Sequence, residues 1–318
     1  MLPGTGAARP VPGRRRTHPH TPAHPARSTH DVQDTGRHTD RHTAQDTDQD
    51  FDRKSFVAAW ERWHRQKEEA LSAPHGFLAI TSLHRLSARP ARFEDAPGAW
   101  SSTDEGVVVD LAEGEELTLD GQVLRGRHDF GVIAERDSLY PAAGDAVVEI
   151  ARRGGQDILR PRHPDNGLRT SFTHTPAYEP DPRWVLTGRF LAFEEPRPVT
   201  VGAAVPGLEH VYDSPGQVEF TLDGGVHRLT AFNGRTPGSL LVLFTDRTSG
   251  VTTYAASRYL QIPAPDADGR VTVDFNRAGN LPCAYTDLAT CPLPPAGNRL
   301  PVAVEAGERI PLERGGSD

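Results

Sequence analysis

The chain has 318 residues, of which 36% are hydrophobic and 25% are charged, and its formal net charge is −8. The low apolar content excludes a membrane protein, two cysteines exclude a disulfide-rich scaffold, and the acidic balance argues against a nucleic-acid binder. The densest apolar run covers residues 240–244, far short of the roughly 20 residues that cross a bilayer. We therefore expect a soluble, cytoplasmic protein that binds neither membranes nor nucleic acid.

Residues 1–50 lack the side chains that build a hydrophobic core. Val11 and Val32 are the only β-branched aliphatic residues, and no aromatic residue precedes Phe51. Such a segment buries too little apolar surface to offset its ordering entropy, which predicts a disordered tail. Its histidines follow no metal-ligand spacing, so no metal site is predicted there. No apolar stretch follows Arg14, Arg15 and Arg16, which argues against an export signal.

An amphipathic helix is predicted from about residue 51. Asp52 and Ser55 supply acidic and capping groups at its start, and Pro74 follows its end. One helical face carries a hydrophobic and aromatic stripe, in which a lysine also stands: Phe56, Trp60, Trp63, Lys67 and Leu71. We expect the aromatic residues of this stripe to dock the helix onto a sheet.

Alternating apolar residues after the helix predict a mainly β protein. Asp-Gly pairs at 120–121, 223–224 and 268–269 are strong hairpin signals. Strand-like runs cover residues 107–111, 117–119, 146–150, 184–193, 199–205, 229–232, 240–244 and 271–275. This pattern predicts antiparallel sheets of the sandwich or barrel type, with one N-terminal helix and a disordered tail.

The expected organisation has four parts. Residues 1–50 form the tail, 51–193 the helix and an N-terminal β region, 194–312 a C-terminal β region, and 313–318 a short tail. The boundary is placed at the proline-rich residues 194–198, which could equally mark the entry of an edge strand.

Common catalytic and cofactor motifs are absent from the sequence. It contains no G-x-S-x-G, G-x-G-x-x-G, Walker A, H-E-x-x-H or paired C-x-x-C motif. No cofactor is identified, no metal is predicted, and the sequence leaves open whether the protein is an enzyme.

Residues 244–308, here called the C-terminal block, concentrate Asp, Asn, Arg and Cys between prolines. Proline restricts the backbone, so we predict a rigid irregular loop across one end of a sheet. One hypothesis is a site for a small anionic molecule, with Arg258 as a bidentate clamp and Asp246 or Asp274 as a base. The catalytic candidates are Asp246, Arg258, Asp274 and Asn276. The ligand-binding candidates are Tyr254, Arg258, Asn276, Arg277, Asn280 and Asn298.

The alternative is a structural role for the same side chains. Asp, Asn and Arg can hydrogen-bond the backbone of a long loop and so rigidify it. Asp274 would then pair with Arg258 or Arg277. In that case the protein would be a non-catalytic interaction module or a structural module.

The two cysteines, Cys283 and Cys291, are eight positions apart. A stable disulfide is not expected in the cytoplasm. We favour inert buried thiols, ahead of a redox pair and a catalytic thiol, because the nearest histidine, His227, is more than fifty positions away.

The C-terminal block resembles a bacterial family known as domain of unknown function 1684. The residues that carry the resemblance are those of 244–254, 258–260, 274–284, 291–300 and 306–308. The likeness spans about residues 55–310 and departs from the family pattern at 279–282, where an aromatic residue and a second proline are usual. The resemblance implies a shared fold and a shared site, but no activity.

Overall fold

A computed structural model describes residues 40–315 of the chain, with side chains from residue 52 onwards. The predicted disorder of residues 1–39 lies outside the described residues. The chain divides into two compact units, Met1–Asp48 and Gln49–Asp318. The packing described below is that of Gln49–Asp318.

Helix α1 (Asp40–Leu71) begins within the segment predicted to be disordered. Residues 40–50 contain neither proline nor glycine, so nothing in them stops a helix from extending towards the N terminus. The helix ends shortly before Pro74, as predicted, and the Ser72 hydroxyl donates to the Glu68 carbonyl oxygen in its last turn. The predicted face contacts the C-terminal half, since Trp60 Nε1 donates to the Asn276 carbonyl oxygen at 2.6 Å, but Asn276 lies in a 3₁₀ turn and not in a strand.

Eleven short strands lie between residues 84 and 162. They are β1 (His84–Arg85), β2 (Ala91–Phe93), β3 (Ala96–Thr103), β4 (Gly106–Asp110), β5 (Leu117–Leu119), β6 (Gln122–Leu124), β7 (Arg127–Gly131), β8 (Ser138–Leu139), β9 (Ala142–Ala143), β10 (Ala146–Arg153) and β11 (Gln156–Arg162). Seven strands follow in the C-terminal half. They are β12 (Val185–Gly202), β13 (Glu209–Leu222), β14 (Gly225–Asn233), β15 (Leu240–Phe244), β16 (Arg258–Ile262), β17 (Arg270–Asp274) and β18 (Gly279–Asn280).

The first eleven strands form two antiparallel sheets. One has four strands in the order β2-β3-β4-β7, and the other has the order β1-β11-β10-β9-β5-β6, with β8 also paired to β10. Their inward side chains share one hydrophobic core, which contains the fully buried Trp100 together with Val107, Val148 and Leu159. Burial of these apolar surfaces is the main favourable contribution to folding in this half.

The last seven strands form one antiparallel sheet in the order β17-β12-β13-β14-β15-β16-β18. Strand β12 joins the runs predicted at 184–193 and 199–205, and its pairing with β13 shifts register between Ala192 and Arg197. The prolines at 196 and 198 therefore lie within a long bulged strand. The core of this sheet includes Phe244 and Phe275, whose rings meet edge to face at 5.6 Å.

The mainly β, antiparallel fold is confirmed, and two of the three Asp-Gly pairs form the predicted hairpins. Asp268-Gly269 forms a turn before β17, but β17 pairs with β12, so this pair makes no hairpin. Asp120-Gly121 joins β5 to β6, and Asp223-Gly224 joins β13 to β14. In both pairs the aspartate and the glycine have positive φ, as two-residue type I′ hairpin turns require.

Helix α2 (Gly167–Ser171) and four 3₁₀ turns complete the regular structure. The turns are Phe77–Ala79, Pro182–Trp184, Phe275–Arg277 and Pro282–Ala284. Beyond β18 the described chain contains only one of these turns and isolated bridges, which agrees with the predicted irregular loop. Neither helix of residues 40–315 has both the length and the apolar character to span a membrane.

Candidate functional site

Arg258 of β16 is almost completely buried and is held by protein groups. Its Nη2 donates to Asp246 Oδ2 at 2.7 Å and to the Val304 carbonyl oxygen at 3.0 Å, and its Nη1 donates to the Ala306 carbonyl oxygen. Asp246 Oδ1 also accepts from the backbone nitrogen and the hydroxyl of Thr248. Burial lowers the pKa of Arg258, while the adjacent Asp246 opposes that shift. Arg258 therefore ties residues 304–306 to the sheet.

Asn276 is buried beside Asp274, at the end of β17. Its amide donates to Asp274 Oδ1 at 2.9 Å and to the Asp181 carbonyl oxygen, and it accepts from the Asp181 backbone nitrogen at 2.8 Å. Arg277 Nε lies 3.3 Å from Asp274 Oδ2, and the Arg277 guanidinium extends over the Trp63 ring. These contacts anchor residues 181–184 to the 3₁₀ turn Phe275–Arg277.

The side chain of Asn298 bridges β14 and β15 where the two strands do not pair directly. Its amide donates to the carbonyl oxygens of Thr230 and Leu243, and its oxygen accepts from the Thr230 backbone nitrogen at 2.8 Å. Asn280, which pairs with Arg258 across β16 and β18, donates to the Arg309 carbonyl oxygen. Each of these amides satisfies backbone groups that would otherwise be unpaired.

The predicted site residues thus fall into separate groups. Asp246 and Arg258 form one group, and Asp274, Asn276 and Arg277 form a second. Within residues 52–315, no hydrogen bond or ion pair joins the first group to the second, or either of them to Asn298. Tyr254 lies elsewhere again, against Cys283 and beneath the guanidinium of Arg314.

A different charged group lies where helix α1 meets the end of the C-terminal block. Glu308 has no exposed surface, and its two oxygens accept from Lys67 Nζ at 2.8 and 2.7 Å. Its Oε2 also accepts from the Asn280 backbone nitrogen at 2.6 Å, and its Oε1 lies 3.4 Å from His64 Nε2. We call Glu308, Lys67 and His64 the Glu308 cluster.

The carboxyl group of Glu308 is held in its ionised form. Burial by itself raises a carboxyl pKa, but the Lys67 ammonium, His64 and the Asn280 backbone nitrogen together lower the pKa of Glu308 below its usual value. A buried carboxylate with these partners supplies a fixed negative charge directly behind an imidazole ring.

Two glycines make room for the Glu308 cluster. Gly307 has φ +75°, and a Cβ atom there would lie 2.4 Å from the Ala278 carbonyl oxygen. A Cβ atom at Gly279 would lie 2.9 Å from Cε of Lys67. The first glycine allows the turn that aims Glu308 inward, and the second leaves space for the lysine stem.

His64 also lines a surface cleft of about 370 Å³. One wall is formed by Val57, Trp60, Glu61 and His64 of α1, and the other wall is formed by residues 174–180. We call this the helix cleft. The His64 ring stacks on Trp60 with a centroid distance of 4.8 Å. Its Nε2 is buried and meets no hydrogen-bond criterion among the described residues, so its 3.4 Å approach to Glu308 Oε1 is an electrostatic contact.

The second wall of the helix cleft is fixed by several hydrogen bonds. The Thr175 backbone nitrogen donates to Glu68 Oε1 at 2.6 Å, and the Tyr178 backbone nitrogen donates to the Gly307 carbonyl oxygen at 2.9 Å. The Tyr178 hydroxyl bonds Thr252 Oγ1 at 2.6 Å. The cleft is therefore a preformed concave surface with polar groups converging on it, as small-molecule sites commonly are.

A second cleft of about 510 Å³ lies between Gly154 and residues 202, 203 and 205–209. Glu209 is the only titratable residue among those that line it. Within residues 52–315 no group of three or more His, Cys, Asp or Glu side chains is placed to hold a metal ion.

None of the three residues of the Glu308 cluster belongs to the predicted site. One signal was present in the composition, because lysine occurs only at positions 54 and 67 in a chain with 35 basic residues. A lysine at 67, on the predicted apolar face of a helix, indicates a position that specifically uses an ammonium group. Its partner Glu308 stands in the resemblance segment 306–308, but nothing in the sequence connects that segment to a residue 241 positions away.

The chain is similar to a protein family and to solved structures. Residues 170–309 match the family model described as Protein of unknown function (DUF1684). An uncharacterized protein from Haloarcula marismortui, whose structure was determined by solution NMR, is 34% identical over 46% of this chain and 80% of that chain, with a TM-score of 0.39. No curated protein matches the chain. The matched range contains Glu308 and residues 174–180 of the cleft wall, and helix α1 lies outside it.

Proposed function

The chain belongs to the DUF1684 family of proteins of unknown function, and we propose that it binds a polar small molecule in the helix cleft. One observation carries this proposal. His64 lines the cleft, and its buried Nε2 lies 3.4 Å from a fully buried carboxylate oxygen of Glu308. An imidazole backed by a carboxylate is the arrangement by which proteins orient a histidine for binding or proton transfer.

In this proposal His64 is the group that exchanges a proton with the bound molecule. Glu308 lies on the Nε2 side of the ring, which leaves Nδ1 to meet the molecule. Lys67 fixes the carboxylate through both oxygens, so that Glu308 cannot turn away from His64. Stacking on Trp60 restricts the ring itself. A preorganised proton acceptor of this kind loses little entropy when the ligand binds.

For the predicted site residues of the C-terminal block we propose the structural role. This is supported by their partners, since Arg258, Asn276 and Asn298 all donate to backbone carbonyl oxygens of distant segments. They hold the loop that presents Glu308, and the small molecule binds next to the block. The predicted anionic group depended on Arg258 as a clamp, and Arg258 is held by protein groups.

We also propose a cytoplasmic location. Its support is that both cysteines are free thiols, as is usual in reducing compartments.

A thermal-shift screen on the full chain tests the proposal. The library contains small carboxylates and phosphates, and equal numbers of neutral polyols and amines. A ligand at about 100 times its dissociation constant stabilises the folded state by about 2.7 kcal/mol, which gives a measurable rise in Tm. Wild type is compared with His64→Gln, which removes the imidazole, and with His128→Gln, which changes a histidine of β7 outside the cleft.

The expected result is a compound that raises the Tm of wild type and His128→Gln but not that of His64→Gln. The melting temperature without ligand reports whether each variant is folded. If no compound in the library gives a shift that depends on His64, the proposed site is wrong.

A further inference from the structure

Cys283 and Cys291 are brought into contact by two anchored segments. Cys283 lies in the 3₁₀ turn Pro282–Ala284, and its backbone nitrogen donates to Cys291 Sγ at 3.3 Å. The backbone of Cys291 is held to the sheet, because its carbonyl oxygen accepts from the Ala204 backbone nitrogen at 2.8 Å. Both thiols are free, and both are buried in one small cluster with Ala289.

The two sulfur atoms have different surroundings. The Cys291 thiol and the Tyr254 hydroxyl both stabilise a thiolate at Cys283, and the pKa of Cys283 is lowered. Burial raises the pKa of Cys291 well above its usual value. Cys283 therefore ionises more readily than Cys291. In dithiol sites the more acidic cysteine attacks the oxidant, and the other, called the resolving cysteine, then forms the disulfide.

The partly exposed Arg314 side chain contacts the backbone of Cys283 and the ring of Tyr254. Its Nη1 donates to the Cys283 carbonyl oxygen at 2.6 Å, and its guanidinium lies over the Tyr254 ring. About 38% of the Arg314 side chain is exposed, and it is also paired with the exposed Asp287. Because both thiols are buried, a solute reaches them only if a covering group such as this partly exposed arginine moves aside.

We propose that Cys283 and Cys291 form a dithiol site that reduces small hydroperoxides and closes to a disulfide. The Cys283 thiolate attacks one oxygen of the hydroperoxide, the O–O bond breaks, and hydroxide or alkoxide leaves. This step forms a sulfenic acid at Cys283. The Cys291 sulfur then attacks the Cys283 sulfur, and the S–O bond breaks as the S–S bond forms. Water leaves with the proton of the Cys291 thiol, and the two thiols have supplied two electrons.

This site is separate from the helix cleft, and none of its residues lines that cleft. The proposal therefore does not depend on the proposed function, and either of the two can fail alone. Reversible oxidation is compatible with a reducing compartment, where disulfides are transient and tied to redox chemistry.

The test is performed on the full chain after reduction and removal of the reductant. Hydrogen peroxide is added, the reaction is quenched at intervals, and the protein is denatured and alkylated before intact-mass analysis. The expected product is a monomer that has lost two hydrogens and takes up no alkylating agent. Treatment with dithiothreitol should restore both alkylation sites.

Variants of four residues separate the steps. In Cys291→Ser the sulfenic acid should persist at Cys283 and react with dimedone, and in Cys283→Ser no disulfide should form. Tyr254→Phe keeps both cysteines but removes the hydroxyl that stabilises the thiolate, so oxidation at neutral pH should slow several-fold. Tyr140→Phe, which changes a half-exposed tyrosine outside the cluster, should oxidise at the wild-type rate.

Two results overturn the proposal. One is a wild-type protein that keeps two alkylatable thiols under peroxide doses that oxidise free cysteine. The other is oxidation that yields only dimers joined between chains. Both are read on wild type, so they hold even if a cysteine variant does not fold.

Discussion

Lys67 in helix α1 and Glu308 near the end of the described chain form a bidentate ion pair across 241 positions of sequence. The carboxylate is fully buried, and the lysine side chain is 15% exposed. This single contact joins the N-terminal helix to the last part of the C-terminal block, and it also sets the charge behind His64.

We predict that Lys67→Met destabilises the protein by about 3–5 kcal/mol, because it leaves a buried carboxylate without its counter-ion. Glu308→Gln should cost less, since the partly exposed Lys67 ammonium can still reach water. Urea unfolding of the full chain measures both changes. Arg62→Ala, an exposed position on the same helix, should stay within about 0.5 kcal/mol of wild type. Equal stability of Lys67→Met and wild type would falsify the structural importance of the pair.

Any side chain at position 307 is predicted to destabilise the folded protein. In Gly307→Ala the new Cβ would lie 2.4 Å from the Ala278 carbonyl oxygen, at a φ of +75°. Gly224→Ala is a matched control, because Gly224 has φ +74° and a Cβ atom added there would meet nothing within 4 Å. The control should lose about 1–2 kcal/mol of stability, because alanine is unfavourable in the left-handed backbone conformation. Gly307→Ala should lose clearly more in the same denaturation experiment, and similar losses would show that the close approach to Ala278 has no consequence.

The buried pair of Asp246 and Arg258 is predicted to be structural. Asp246→Asn leaves the Arg258 guanidinium buried without a counter-charge and should cost about 3–5 kcal/mol. The exposed pair of Asp268 and Arg270 provides the comparison, since both side chains are more than half exposed. Asp268→Asn should change stability by less than about 1 kcal/mol. A fully stable Asp246→Asn variant that loses ligand binding would instead support the ligand-site hypothesis for the C-terminal block.

Protonation of Glu149 should make the protein less stable in acid. Burial alone would raise the pKa of Glu149, but Arg160 and Arg162 lower it from 4.5 to about 2. Because the pKa is lower in the folded state, this stabilisation is complete above about pH 4.5 and is lost as the pH falls towards 2. The loss is about 3 kcal/mol at most.

The measurement for Glu149 is the free energy of unfolding in urea at several pH values within this window. Glu149→Gln should be less stable throughout, because two buried arginines lose their partner. It should also show a shallower fall in stability with acid. If the unfolding free energies of wild type and Glu149→Gln decrease in parallel as the pH falls, Glu149 is not the group that titrates.

Much of the fold was predictable because its signals are local. An Asp-Gly pair favours a tight hairpin through its own φ preferences, and the pairs at 120–121 and 223–224 form one. The pair at 268–269 does not, because its two flanking strands have different partners. The stripe from Trp60 to Leu71 likewise carries its helical period within a few turns. The predicted start of α1 was wrong because a polar segment without proline or glycine can extend a helix that is already nucleated, and composition alone does not reveal this.

The site was only partly predictable because its contacts are not local. The polar residues of the C-terminal block were recognised, but a carboxamide such as Asn276 has the same appearance in sequence whether it binds a ligand or a backbone carbonyl. Lys67, Glu308 and His64 come from two segments that are adjacent only in the folded chain. Their proximity is a property of the topology, which no motif spacing records.

The long-range contact between α1 and the C-terminal block also determines when the molecule can be completed. During synthesis the helix emerges early, while the carboxylate that Lys67 needs is added 241 residues later. Until then Trp60 and Lys67 have no docking surface, because Asn276 and Glu308 do not yet exist. The helix therefore cannot reach its native packing until residues 276–308 have been synthesised.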